Sequence, residues 1–109
     1  MGIVIHATRA TREWRPVGVR AGDRTYHILS DLTGEVGSRE LRAFAEALGF
    51  SWRWVQYRGT YREHFDAPSQ DYDEIVASGA TPISTSDLGR LLAAKRAVMG
   101  DLPPGMRRR

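Results

Sequence analysis

The clearest hydrophobic pattern in the chain lies between residues 25 and 49, where an apolar run, a polar turn and an amphipathic stretch follow one another. The run at residues 26–29 is aromatic and aliphatic, which favours a strand. Beyond the turn, apolar residues recur at i, i+3, i+4 and i+7 and predict one buried helix face, formed by Leu41, Phe44, Ala45 and Leu48. Ser38 is a suitable N-cap for this helix, and Gly49 suits the left-handed residue just past its end.

Three other stretches have strand character. Residues 3–5 are continuously apolar, as expected for a strand buried on both faces. Between Phe50 and Tyr57, aromatic residues alternate with polar ones. Pro82 places a short strand at a sheet edge or at a strand start. The predicted strands therefore lie near residues 3–6, 25–30, 51–57 and 81–84.

Capping signals predict two further helices. Pro68 fits the first turn of a helix, acidic residues just after it complement the helix dipole, and Gly79 closes the segment. Ser84 and Asp87 have the spacing of a capping box, with Asp in the usual Glu position, and Gly100 ends the helix that follows. The predicted helices lie near residues 38–48, 69–78 and 86–99.

The remaining segments, residues 7–24 and 58–67, have no hydrophobic period and are interpreted as loops. The first is long for a small domain, and loops of that length are more often functional than merely connecting. Within it we expect a short extended piece at residues 17–19, and we expect Trp14 to pack onto the core.

The alternation of strands and helices predicts a small layered α/β domain with a mostly parallel sheet of about four strands and three helices. A chain of 109 residues suits one domain. We assign residues 1–100 to this domain and residues 101–109 to a disordered basic tail, which has little apolar area to offset the entropy of ordering.

The composition mainly excludes kinds of site and classes of protein. Apolar residues at 41% and charged residues at 27% are ordinary for a globular protein. The absence of cysteine excludes disulfides, thiolate metal sites and cysteine nucleophiles. No apolar run approaches the roughly 20 residues that span a bilayer, and the N-terminus lacks the basic region of a secretory signal. We therefore expect a cytoplasmic protein with no membrane partner.

The net charge of +3 is a weaker sign of nucleic-acid binding than it first suggests, because the last three residues are all arginine. Without them the chain holds 13 basic and 13 acidic residues (16 − 3 against 13). The charges are unevenly distributed, with five arginines between residues 9 and 24 and six acids without Lys or Arg between residues 63 and 87. This distribution predicts one basic and one acidic region.

Several short motifs, in this order and at plausible spacing over residues 3–92, resemble the domain-of-unknown-function family 4031, small proteins of bacteria and their phages. The motifs are Tyr26-His27-Ile28-Leu29-Ser30-Asp31, Glu40-Leu41, Phe44-Ala45, Leu48-Gly49, Gln56, His64-Phe65-Asp66, Gly79-Ala80 and Ser86-Asp87-Leu88. Family members often carry an aspartate pair after the first strand, where this chain has His6-Ala7. The resemblance supports the α/β architecture and implies no activity.

In open parallel α/β sheets, ligands bind beyond the carboxyl ends of the strands. One candidate arrangement there is a divalent metal site formed by His6, Asp31, His64 and Asp66, which would activate water for hydrolysis. The other is a phosphate site at the start of the last helix, where backbone N–H groups would act with serine and arginine side chains. The full set of candidate ligand-binding residues is His27, Asp31, Arg58, Arg62, His64, Asp66, Ser84 and Ser86.

Each candidate also has a structural explanation. His27 is typical of a half-buried, hydrogen-bonded strand residue, and Asp31 of a turn or cap. Residues 64–66 can anchor their loop, with Asp66 capping the next helix. Residues 84–87 are explained by capping alone, and Trp52 and Trp54 suit the core better than a base-stacking platform.

Two functional hypotheses follow. The chain holds no G-x-G-x-x-G, P-loop, H-E-x-x-H or G-x-S-x-G motif, so the sequence names no cofactor and no nucleophile. The preferred hypothesis is a binding module for a phosphorylated ligand, a nucleic acid or a protein partner. The alternative is a metal-assisted hydrolase or phosphoesterase that uses the His/Asp cluster.

Overall fold

The structure is a computed structural model that describes residues 2–11, 13–14 and 18–106. Within these residues one sheet has the strand order β3-β2-β1-β4 and three α-helices accompany it. The strands are β1 (Ile3–Arg9), β2 (Arg24–Ser30), β3 (Phe65–Pro68) and β4 (Thr81–Pro82). The helices are α1 (Gly34–Ala47), α2 (Tyr72–Ala77) and α3 (Thr85–Met99). A small α/β domain with four strands and three helices is thus confirmed.

The sheet is mixed and mostly antiparallel, so the predicted mostly parallel arrangement is wrong. β2 runs antiparallel to both β1 and β3, while β1 and β4 pair in parallel. The reason lies in the connection between β1 and β2, which folds back as a hairpin instead of crossing over. The Ala10 amide donates to the Asp23 carbonyl (2.9 Å), and Trp14 and Val19 form a further bridge inside the connection. Parallel neighbours require a longer crossover, usually a helix.

The predicted strand at residues 51–57 is also wrong. Trp52–Trp54 form a 3₁₀ turn, and the strand next to β2 is β3, which lies mostly in the segment interpreted as a loop. The aromatic alternation was misleading because Phe50 and Trp52 pack directly on the ring of Phe65, at centroid distances of 6.3 and 5.5 Å. β3 was missed because Asp66 and Pro68 are poor strand formers, and Pro68 is tolerated because β3 is an edge strand.

The helix ends confirm some of the capping predictions and overturn two. Pro68, expected in the first turn of the second helix, lies in β3, and α2 begins at Tyr72. Ser84 and Asp87 form the predicted capping box of α3, and Gly49 has the expected left-handed φ of 88°. Ser38 is not an N-cap, because α1 begins at Gly34 after Thr33. Its hydroxyl lies inside the helix and contacts both carboxylate oxygens of Glu63 at 2.9 Å.

The core lies between one face of the sheet and the helices α1 and α2. It contains alternating strand residues together with buried helix residues, among them Ile3, Ile5, Ile28, Phe65, Ala67, Leu41, Ala45 and Ile75. Successive side chains of a strand point to opposite faces of a sheet. The residues between these core positions therefore form the second face of the sheet.

α3 packs against β1 and is tied to the sheet through Lys95. The Lys95 ammonium is buried and donates to the Ser30 carbonyl at 2.7 Å. Burial lowers the pKa of Lys95, while the neighbouring carboxylates of Glu63, Asp31 and Glu40 act in the opposite direction. This polar contact fixes the end of α3 beside the end of β2.

Two segments named in the sequence analysis are described in part. Val17, in the predicted extended piece, lies outside the described residues, as do residues 107–109 of the predicted tail. Pro104–Met106 form a 3₁₀ turn. Trp14 packs edge-on against Trp54 at a centroid distance of 5.6 Å rather than within the core. Among the described residues, no helix has both the length and the apolar character needed to cross a membrane.

Candidate metal centre

A row of polar side chains crosses the sheet on the face opposite the core. His6 pairs with His27 across β1 and β2, and His27 pairs with Asp66 across β2 and β3. Directly opposed residues on one face have Cβ atoms about 4.5–5.5 Å apart. The strand register alone therefore brings these three side chains next to one another.

His64, the residue directly before β3, adds a third imidazole to this row. Two backbone hydrogen bonds between Gln56 and His64, at 2.9 and 3.1 Å, hold the chain in an antiparallel bridge there. The His64 ring lies 4.4 Å from the His27 ring, measured between centroids. Both imidazoles consequently lie beside the carboxylate of Asp66.

The geometry of these three side chains fits a metal site. Asp66 Oδ1 lies 3.2 Å from His27 Nε2 and 3.4 Å from His64 Nε2. One donor atom from each residue lies within 4.8 Å of the other two. In tetrahedral zinc sites, bonds of about 2.0–2.2 Å place ligand atoms roughly 3.3–3.5 Å apart. The separations from Oδ1 are close to that range.

The protonation of His64 makes this arrangement unusual. Its Nδ1 lies 2.7 Å from the Arg62 carbonyl oxygen, which can only accept, so Nδ1 carries a proton. In the neutral ring Nε2 then holds a lone pair that faces the Asp66 carboxylate. Two lone pairs at this distance repel unless a cation lies between them, either a proton on the ring or a metal ion.

Asp66 Oδ1 has no hydrogen-bond partner among the described residues, although the atom is buried. The Nε2 atoms of His27 and His64 lie within ion-pair distance of it, at 3.2 and 3.4 Å. Buried carboxylate oxygens without partners are uncommon, and a bound ion is one of the physical explanations for such an atom. The missing partner therefore points to the same position as the two Nε2 atoms.

The charge balance at Asp66 favours its ionised form. Burial alone would raise the pKa of Asp66, but the interactions with His27 and His64 outweigh it and hold the pKa well below its usual range. A metal ligand must be deprotonated, and this carboxylate is already so at any physiological pH. At His6, burial and the neighbouring His27 lower the pKa of the imidazole, which favours its neutral form.

Gln56 positions the carboxylate from the other side. Its side-chain amide donates to Asp66 Oδ2, which leaves Oδ1 facing the imidazoles. Partners of this kind orient metal ligands and tune their affinity.

Tyr57 packs beside His64 and itself has a left-handed backbone conformation, which residues other than glycine rarely adopt. Its φ is 53°, and its carbonyl accepts hydrogen bonds from the Thr60 amide and hydroxyl at 3.1 and 2.7 Å. The Tyr57 ring stacks near the His64 ring at 6.1 Å with an interplanar angle of 27°. The Arg62 guanidinium lies over the Tyr57 ring, 4.7 Å from its centroid. Unusual backbone conformations of this kind are often found at functional sites.

These residues form part of the lining of an open cavity of about 600 Å³ on the second face of the sheet. Cavities of about 300–1,000 Å³ are typical of small-molecule sites. The donors His27, His64 and Asp66 lie in its wall beside residues of the β1–β2 connection and of the segment 54–57. A ligand in the cavity would thus lie beside the three donor residues.

The predicted site residues fall into two groups. His27, His64, Asp66 and Arg62 line this cavity. Asp31 directly follows the last residue of β2 and does not line the cavity; its carboxylate accepts a hydrogen bond from the Gly2 amide at 2.6 Å. The argument that parallel strands would deliver Asp31, His64 and Asp66 to one rim is wrong, because β2 and β3 are antiparallel.

The remaining predicted residues lie outside the cavity lining. Arg58 is over the Trp52 ring at 5.8 Å, Ser84 caps α3, and Ser86 is exposed in the first turn of α3. His6, expected among the metal ligands, instead contacts the Thr85 hydroxyl through Nε2 at 3.1 Å. Its Nδ1 is buried without a hydrogen-bond partner among the described residues.

Sequence reasoning did not assign a site role to Gln56, Tyr57, Trp14 or Arg9. Gln56 could have been identified, because it is one of the motif residues in the family resemblance. Tyr57 gave no signal, because a positive φ at a tyrosine is not expected from its type. Trp14 lies in the connection between β1 and β2, and Arg9 is the last residue of β1; both fall in the segment 7–24 that is interpreted as a loop, and its lack of a hydrophobic period does not predict a hairpin.

The comparison with protein families gives one match. The family model described as "Protein of unknown function (DUF4031)" matches residues 15–95, which include all three donor residues and Gln56. No curated protein and no solved structure matches the chain significantly.

Proposed function

Because the chain belongs to DUF4031, a family whose description states no activity, we propose its function from the site alone: a metal-dependent hydrolase whose divalent ion binds His27, His64 and Asp66. The observation that carries this proposal is the convergence of two imidazole nitrogens and one buried carboxylate oxygen in the wall of an open cavity. Asp66 Oδ1 lies 3.2 Å from His27 Nε2 and 3.4 Å from His64 Nε2, and these distances are close to the ligand separations of tetrahedral zinc sites. They support zinc or a similar ion.

The donor set suits the chemistry of hydrolysis. Two imidazoles and one carboxylate are the protein ligands of several catalytic zinc sites, and they leave a fourth position for water or substrate. An ion bound in this way acts as a Lewis acid and makes a water molecule a better nucleophile at neutral pH. In the reaction, the oxygen of water would bond to the electrophilic atom of an ester and the bond to the alcohol oxygen would break. One proton of the water would go to that alcohol oxygen, and the other would be released to solvent from the acid product.

The alternative phosphate site at the start of α3 has less support. There Ser84 already accepts the Asp87 amide at 3.0 Å, and Arg90 pairs with Asp87 at 2.6 Å. The two arginines expected to assist lie over aromatic rings of the segment 52–57. These contacts account for the residues at that helix end without a ligand.

The first test is metal binding by the purified full-length chain. After treatment with a chelator, calorimetric titration with Zn²⁺ should give one site per chain, and Mg²⁺ should bind far more weakly because it prefers oxygen ligands. At free Zn²⁺ 100-fold above Kd, the ion should add about 2.7 kcal/mol to the free energy of unfolding. Thermal denaturation would show this as a rise in Tm of several degrees.

Variants locate the site. His64→Ala and Asp66→Asn should each abolish the Zn²⁺-dependent rise in Tm. His6→Ala removes the histidine outside the donor set, and Asp73→Asn removes an exposed carboxylate of α2; both should keep the rise. Equal stabilisation of all four variants by Zn²⁺ would place the metal elsewhere and overturn the proposal. Loss of Zn²⁺-stimulated ester hydrolysis in the same two donor variants would identify the ion as catalytic.

A further inference from the structure

The cavity wall around the donor residues carries groups that the metal does not use. Two tryptophans, Trp14 and Trp54, meet edge to face there at 5.6 Å, and Trp54 remains 39% exposed. An exposed tryptophan in a cavity wall offers a ring face on which a planar ligand group can stack. Neither ring is part of the core cluster, although Trp54 also lies 6.2 Å from the ring of Phe50, which packs against that cluster.

Two arginines line the same cavity, and neither pairs with an acid in the part of the chain that the structure describes. Arg9 donates to the Gly22 carbonyl at 3.1 Å, and Arg62 lies over the Tyr57 ring. Neither guanidinium forms an ion pair with an acid of the described ranges 2–11, 13–14 and 18–106. Arginine presents several donors in a planar fork that suits phosphate oxygens.

The charges of the lining also favour an anionic ligand once a metal is bound. The lining contains equal numbers of described acidic residues, Glu13 and Asp66, and arginines, Arg9 and Arg62. A divalent ion at the donor residues therefore gives this part of the wall a net positive charge. The volume of about 600 Å³ is sufficient for a ligand larger than a free phosphate.

We propose that the cavity recognises a nucleotide-type phosphate ester, in which a planar aromatic ring stacks against Trp54 while Arg62 and Arg9 bind the phosphate beside the donor residues. This inference names the substrate class of the hydrolase proposed above and rests on that proposal for its chemistry. Recognition by the wall is a separate property, which can be measured with and without the metal. The ester can be a free nucleotide or the phosphorylated end of a single-stranded nucleic acid, because both present the same ring and phosphate.

Tryptophan fluorescence provides the measurement, since two of the three tryptophans lie in the wall. The full-length protein is titrated with adenosine 5′-monophosphate, adenosine, inorganic phosphate and a short 5′-phosphorylated single-stranded oligonucleotide, each with Zn²⁺ and with chelator. Adenosine 5′-monophosphate should bind at least tenfold more tightly than adenosine or phosphate, and Zn²⁺ should strengthen its binding. A tighter complex with the oligonucleotide would assign the natural source to a nucleic-acid end, and a tighter complex with the mononucleotide would assign it to a free nucleotide.

Matched variants connect the binding to the wall. Arg62→Ala should raise the Kd for adenosine 5′-monophosphate about tenfold or more, because it removes charge-assisted hydrogen bonds. Arg58→Ala, which removes the arginine over Trp52, should change it less than twofold. Trp54→Leu should remove most of the quenching and weaken binding, with circular dichroism and Tm confirming that both wall variants remain folded.

The outcomes separate this inference from the metal proposal. If Zn²⁺ binds at His64 and Asp66 but adenosine 5′-monophosphate binds no better than inorganic phosphate, the inference is wrong and the metal centre stands. If the nucleotide binds in chelator and depends on Arg62 and Trp54 while Zn²⁺ does not bind, the recognition stands and the metal proposal is wrong. Equal effects of Arg62→Ala and Arg58→Ala would also overturn the inference, because they would place the phosphate outside this cavity.

Discussion

Neighbouring residues of the same strands serve opposite purposes on the two faces of the sheet. On β2, Ile28 is 1% exposed within the core, whereas the side chain of the preceding residue, His27, is 32% exposed in the cavity. On β3, Phe65 is fully buried, and the next residue, Asp66, faces the two imidazoles. One backbone path therefore positions both an apolar core and a polar cluster.

The difference lies in what each face demands of a side chain. The core face requires volume and apolar surface, and its contacts are distributed over many atoms. The cavity face requires particular donor atoms at particular distances, and a single displaced atom removes the arrangement. The two faces should therefore respond in opposite ways to the same kind of substitution.

The largest expected effect is on stability. Ile28→Ala should lower the free energy of unfolding by about 2–5 kcal/mol, because it removes buried apolar atoms and leaves a cavity in the core. His27→Ala, one residue away, should lower it by less than about 1 kcal/mol. Urea denaturation of both variants in the presence of chelator measures the difference.

The same two variants should show the opposite order in their effect on Zn²⁺ affinity. Calorimetry on folded protein should show that Ile28→Ala retains the site and that His27→Ala loses it. A large stability loss in His27→Ala, with Zn²⁺ affinity unchanged, would mean that the polar cluster is part of the structural core and would contradict the distinction between the faces.

A smaller effect is expected from Gln56, which holds Asp66 without being a donor itself. Gln56→Leu should reduce Zn²⁺ affinity about 10–100-fold, because Asp66 Oδ2 loses the amide that orients the carboxylate. Gln70→Leu, at another exposed glutamine, is the matched control. Unchanged affinity in Gln56→Leu would show that the carboxylate is oriented by the histidines alone.

The smallest effect concerns acid stability without metal. The folded-state pKa of Asp66 is lower than its unfolded value near 3.8, so its ionised form contributes stability that is complete above that pH and is lost as the pH falls toward the folded-state pKa. The free energy of unfolding of the wild type should therefore decrease more steeply below about pH 4 than that of Asp66→Asn. Denaturation in chelator between pH 2.5 and 6 tests this, with Asp73→Asn controlling for the change in net charge; parallel curves for wild type and Asp66→Asn would contradict it.

The sequence predicted local elements better than their arrangement. The periodicity of α1 and the capping box of α3 depend on contacts within a few residues, so the pattern alone determined them. The direction of β2 relative to β1 depends on whether residues 10–23 fold back or cross over, and a segment without period does not contain that information. The same limit applies to β3, which is specified by its pairing with β2 rather than by strand-forming residues.

The candidate site was predicted in part for a related reason. His27, His64 and Asp66 were named because histidines and aspartates beside strands are plausible ligands, although the parallel-sheet argument that grouped Asp31 with His64 and Asp66 was wrong. Which oxygen, nitrogen or amide meets which depends on register, and one residue of slip would move His27 to the other face. Gln56 and Tyr57 illustrate this, since their roles follow from a backbone bridge and an unusual φ that residue types do not reveal.

The prolines at both margins of the sheet have a consequence for how this protein meets other molecules. Pro68 lies in β3 and Pro82 in β4, the two outermost strands, and a proline has no amide hydrogen to offer a further strand. Growth of the sheet by addition of a peptide, or by association of one copy with another along these margins, is therefore hindered. The two margins are therefore poor templates for cross-β aggregation, since each holds a proline without the amide donor that a further strand would use.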